Sequence, residues 1–85
     1  MPEISRFLGI IIRMYYRDHA PAHFYAEYGG YEISVELESG VIAGRFPHRA
    51  LRAVMEWKSA HETELLENWT RAVRKLPLNP IAPLE

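Results

Sequence analysis

From His23 to Glu36 the chain reads HFYAEY-GG-YEISVE, two alternating runs on either side of Gly29-Gly30, glycines that supply the positive φ of a tight hairpin turn. With those two residues as the loop, Tyr28 faces Tyr31, Ala26 faces Ile33 and Phe24 faces Val35, an apolar or aromatic face suited to a core. The other face pairs Glu27 with Glu32, Tyr25 with Ser34 and His23 with Glu36. Turn chemistry and two-sided patterning agree on this register.

Upstream, GIIIRMYYRD is rich in β-branched and aromatic residues and predicts a first strand over residues 8–17, ended by the proline of HAPAH. Ile10, Ile12, Met14 and Tyr16 then point to the core, and Ile11, Arg13, Tyr15 and Arg17 point outward. Downstream, a turn at Ser39-Gly40 sets Leu37 opposite Ile42 and opens a short fourth strand ending near Phe46. After Pro47 the period changes to helical, with Leu51, Val54 and Met55, then Leu65, Trp69, Val73 and Leu76. One unbroken helix over 47–75 would be about 43 Å long, against about 26 Å for an eight-residue strand. Two helices are therefore expected, meeting at a capping box formed by Ser59 and Glu62 and stopping at Pro77. The expected fold is α+β: a four-stranded antiparallel meander with C-terminal helices packed on one face, and an extended proline-bearing tail over 76–85.

Composition narrows this picture only modestly. Eighty-five residues suffice for one domain, 1–85, with a small core. Ten basic against eleven acidic side chains provide no strong field for nucleic acid or an anionic membrane. No cysteine is present, which removes thiol nucleophiles and zinc–thiolate sites. The apolar run FLGIII falls well short of a membrane span, so a cytoplasmic protein is expected.

The residues that carry chemistry lie around the first two strands. His19 and His23, with Asp18 or Glu27 and with His61 in support, are candidate ligands for a divalent transition metal, although Pro21 breaks the helical spacing that would make such a signal strong. The bland reading is a loop whose histidines and aspartate bond the backbone; no cofactor is the default. On the outward sheet face, Arg13, His23, Tyr25 and Glu27 are candidate catalytic groups: histidine or glutamate would move protons and arginine would meet a phosphate. The plainer expectation for that face is a solvated surface of cross-strand ion pairs. Glu27 and Glu32, directly opposed, require a compensator, for which Arg13 or Arg17 is nearest. Trp57 and Trp69 are candidate core or partner contacts. Leu78, Ile81 and Leu84 recur every third residue, lining one side of a polyproline II segment that docks on its own domain, a second copy or a partner.

The opening MPEISRFLGIIIRMYYRDHAPAHFYAEYGG and the later FPHRALRAVMEWKSAHETELLENW resemble the small bacterial proteins grouped as domain of unknown function 4160. That family's pattern has a Y-x-x-D-H-x-P-P-H-F-H-A centre and an E-W-x-x-x-H-x-x-E-L-x-x-N-W helix. Asp18, His19, Pro21, His23, Phe24 and Ala26 match the first; Glu56, Trp57, His61, Glu64, Leu65, Asn68 and Trp69 match the second. Ala22 replaces the second proline and Tyr25 replaces a histidine, which weakens a three-histidine metal site. The resemblance implies one half of a two-gene, toxin-antitoxin-like module. The expected function is thus binding of a small partner protein, through Trp57, Trp69, Leu78, Ile81 and Leu84, with homo-oligomerisation also open. The alternative is a small RNA-directed or metal-dependent enzyme that uses the His19/His23 loop and the polar sheet face.

Overall fold

The computed structural model describes residues 2–16 and 18–85. Five strands, β1 (Glu3–Phe7), β2 (Ile10–Arg13), β3 (His23–Tyr28), β4 (Tyr31–Glu36) and β5 (Ile42–Arg45), are followed by two helices, α1 (His48–Ala60) and α2 (Glu62–Val73). The strands form one antiparallel meander in the order β1-β2-β3-β4-β5.

The β3–β4 register is the predicted one at all six pairs, from His23 opposite Glu36 to Tyr28 opposite Tyr31. Phe24, Ala26, Ile33 and Val35 are buried, as are Ile10, Ile12 and Met14 from β2 and the residue following it. Tyr28 and Tyr31 share that face but flank the Gly29-Gly30 turn at the tip of the hairpin and are exposed.

The sheet has five strands rather than four, because the predicted first strand is preceded by a hairpin of its own. Leu8 (φ 52°) and Gly9 (φ 78°) both take left-handed backbone conformations, the pattern of a type I′ turn, and Phe7 pairs with Ile10 across it. A leucine in that region is uncommon, so the turn is hidden inside an apolar run. A bulge between Glu3 and Ser5 turns Ile4 and Ser5 both inward, and the Ser5 hydroxyl is buried without a partner.

Three further expectations are corrected. Ile42 faces Val35 rather than Leu37, since the loop runs longer than two residues and Leu37 turns away to donate its amide to the Ala22 carbonyl (2.9 Å). The shift is of two residues, so each side chain keeps its face. Tyr16 is exposed, not core, and its hydroxyl donates to the Leu76 carbonyl. The helices do break at His61, but no capping box forms there: Ser59 remains inside α1, and no side chain caps α2. Arg17 lies outside the described residues.

The core sits between one sheet face, the helices and segment 76–85. Trp57 of α1 is its centre, fully buried, with its ring against Phe7 (centroids 5.5 Å) and edge-on to Phe24 (5.7 Å). α2 ends in a Schellman motif: the Leu76 amide donates to the Arg71 carbonyl and the Lys75 amide to Ala72, with Lys75 left-handed at φ 60°. This reverses the chain, and residues 76–85 run back across both helices to the β1 edge. The Ile81 amide donates to the Ile4 carbonyl (2.8 Å), Trp57 Nε1 to the Ala82 carbonyl (2.8 Å), and the buried Asn68 carboxamide engages both the amide and the carbonyl of Asn79 (2.8 Å each).

Candidate functional site

At the start of β3, on the face of the sheet away from the main core, four polar groups converge. His23 is set there by strand parity with Tyr25, and the preceding loop carries Asp18 and His19 back over it. Parity alone predicts an exposed histidine. Instead the His23 side chain is only 7% exposed, because Asp18 and the Trp69 ring of α2 (centroids 5.3 Å) close around it.

The Asp18 carboxylate bridges two imidazoles. Oδ2 lies 2.9 Å from His23 Nε2, and Oδ1 lies 3.1 Å from His19 Nδ1 while accepting from the His19 backbone amide (2.9 Å). His23 Nδ1 lies 2.7 Å from the Pro21 carbonyl, so both ring nitrogens face oxygens that accept. The Tyr25 hydroxyl completes the group, 3.2 Å from His23 Nε2. Burial alone would raise the Asp18 pKa; the His19 amide, the charge of His23 and hydrogen bonds from Tyr25 and His23 outweigh it and hold the carboxyl below its ordinary value. Tyr25 is shifted upward, first by burial and then by the neighbouring Asp18 charge, so it stays a neutral donor. Tyr15 packs edge-on to Tyr25 (4.9 Å) and is also shifted upward, first by burial and then by Glu32.

The two histidines therefore differ in kind. His23 is enclosed, whereas the His19 side chain is 82% exposed with Nδ1 turned to Asp18, leaving Nε2 toward solvent. Beside them a shallow cleft of about 230 Å³ is lined by His19, Pro21, His23, Tyr25, Ser34 and Glu36.

The other candidates lie elsewhere. Arg13 reaches Glu27 (3.5 Å) as the expected compensator, although its Nε is buried without a partner, and Arg45 of β5 stands opposite Glu32. His61 occupies the helix joint, bonded to Glu64 and packed on Trp57 (5.6 Å). Among the described residues no group of three or more His, Cys, Asp or Glu side chains could hold a metal ion. Trp57 and Ile81 are buried and so present no free surface; Leu78, Leu84 and Trp69 pack partly buried against the core. Asn68 was legible only as a polar residue on the buried stripe Leu65–Asn68–Ala72, and its clamp on Asn79 is a long-range contact that periodicity does not reveal.

The family model described as Domain of unknown function (DUF4160) matches residues 9–70, which include the whole polar cluster and most of both helices. The chain belongs to that family. No curated protein and no solved structure matches it. The DUF4160 match thus places Asp18, His19, His23 and Trp69 within the family's own span, whereas the clasping segment 76–85 lies beyond it. No helix of this DUF4160 chain is long and apolar enough, among the described residues, to cross a membrane.

Proposed function

We propose that this chain is the protein-binding component of a bacterial, cytoplasmic, toxin-antitoxin-like two-gene module, and that its partner adds to the sheet along β5. The observation that carries the reading is the state of that edge. All four residues of β5 are exposed, as is Val41 before them, and among the described residues no strand or segment pairs with its outer side. An open edge with apolar side chains is a template for strand addition, in which main-chain bonds provide affinity and neighbouring pockets provide selectivity. A cleft of about 490 Å³ alongside it, lined by Tyr31, Ile33, Ile42, Gly44, Phe46 and Leu51, is suited to side chains of the incoming strand. The two-gene arrangement rests on the family resemblance.

The test is to co-express this chain with the product of the adjacent short reading frame and measure the affinity of the complex by calorimetry. Ile42→Lys is expected to weaken association at least about tenfold by placing a charge on the joining edge, while one member expressed alone arrests growth and the pair together does not. Absence of a complex, or an unaltered affinity in Ile42→Lys, refutes the reading.

One observation favours a second reading, an RNA-directed enzyme that uses no metal. An exposed imidazole oriented through Nδ1 by a carboxylate is the geometry of a general base, and His19 with Asp18 has it. On this reading His19, not the enclosed His23, moves the proton. Ribonuclease activity lost in His19→Ala at unchanged thermal midpoint supports it; no cleavage by the wild-type chain rejects it.

A further inference from the structure

Segment 76–85 is held as a bound peptide is held, by its backbone. The Leu76 and Pro77 carbonyls accept from Tyr16 and Arg71, Ile81 donates to the β1 edge at Ile4, and Ala82 accepts from Trp57. Asn68, fully buried on α2, presents donor and acceptor together to the carbonyl and amide of Asn79. That fork reads a peptide unit in one orientation. Ile81 enters the core, with Leu78 and Leu84 packed beside it at three-residue spacing. β1 and the two helices thus form a groove that recognises an extended, proline-bearing segment by main-chain bonds and apolar sockets.

Only the connection ties that segment to its own groove. The reversal out of α2 depends on Lys75 at φ 60°, a left-handed conformation that a side chain with a Cβ disfavours and glycine does not. Returning Lys75 to helical φ removes that strain and directs the segment off the body, and Leu76, preceding Pro77, stays extended in either case. A second copy offers the same segment with the same contacts, so nothing in the groove distinguishes the two sources.

We propose that this groove also takes residues 76–85 of a second copy, so that two chains exchange these segments reciprocally into a twofold dimer hinged at Lys75.

The experiment uses full-length chains that complement each other. Asn68→Ala damages the groove and leaves the segment intact; Ile81→Asp damages the segment and leaves the groove intact. Each alone is expected to be monomeric by native mass spectrometry after incubation at high concentration, while an equal mixture forms a one-to-one heterodimer, with one sound groove filled by one sound segment. Wild-type chain forms the exchanged homodimer, and Lys75→Gly, which relieves the hinge, lowers its fraction about tenfold. A mixture that stays monomeric while both variants keep their circular dichroism overturns the proposal. So does a dimer that survives Ile81→Asp but is lost in Ile42→Lys, since that association runs through β5. Should either variant unfold, a fluorescent synthetic peptide LPLNPIAPLE added to full-length Lys75→Gly and wild type decides: saturable binding, displaced by unlabelled peptide and tighter in wild type, supports exchange, and no binding to either overturns it.

Discussion

At the β1 edge the Ile4 carbonyl accepts from Ile81, and Trp57 and Asn68 bind the same crossing segment from behind; at the β5 edge Ile42–Arg45 are exposed along their whole length. Both are outer strands of one small sheet, yet one is bonded by the chain itself at Ile4 and the other is presented. Unpaired strand edges are a hazard that folded proteins ordinarily cover or blunt. Tying one edge to the returning segment at Ile81 while leaving the other bare concentrates cohesion at β1 and availability at β5.

Several substitutions would break or sharpen this contrast. Trp57→Ala removes the aromatic centre of the core and the donor that holds Ala82, and is expected to cost about 3–5 kcal/mol in urea denaturation, a large share of the stability of so small a fold. Gly44→Ala probes the open side. At φ 110° an added Cβ would lie 2.5 Å from the Glu32 carbonyl oxygen and 3.2 Å from the Ile33 Cα, so a loss of about 1–3 kcal/mol is expected. Hydrogen exchange should locate that loss in β5 and leave the Ile81 amide protected.

The Asp18 cluster, at neither edge, provides a pH signature. Its carboxyl is held below the ordinary 3.8 in the folded chain. The stability it contributes is therefore complete above that value and is lost as the pH falls through and below it. The thermal midpoint of the wild type should drop on acidification in that range, and that of Asp18→Asn, lower at neutral pH, should fall less steeply. The smallest effect is expected from Ile42→Lys, whose stability should stay within about 0.5 kcal/mol of wild type. Were it to unfold the chain, β5 would be structural and the contrast between the edges would disappear.

How legible each region was in the sequence follows from how local its determinants are. The β3–β4 hairpin was readable to the last pair because Gly29-Gly30 and both alternating faces dictate one register. The β1–β2 hairpin was not, because Leu8 rather than a polar or glycine residue stands in the left-handed turn position and the apolar run conceals it. The helix break came at the right place for a different reason: an interruption at His61, not a cap by Ser59. Within the candidate site, parity brought His23 and Tyr25 to one face, but Trp69 arrives from 46 positions further along the chain and turns an exposed ring into an enclosed one. The same holds for Asn68 and Asn79: each is ordinary by pattern, and only their meeting makes a clamp.

The two indoles also make the chain its own optical reporter. Trp57, sealed in the core and hydrogen-bonded to Ala82, should emit at short wavelength and shift to the red only when the crossing segment lifts away. Trp69 packs tilted against the His23 imidazole (centroids 5.3 Å), a ring able to quench indole emission at contact range, so its yield should follow the closure of the Asp18 loop. Phenylalanine at one tryptophan at a time would separate the two signals, and the crossing segment and the Asp18 loop could then be watched in one cuvette without a label.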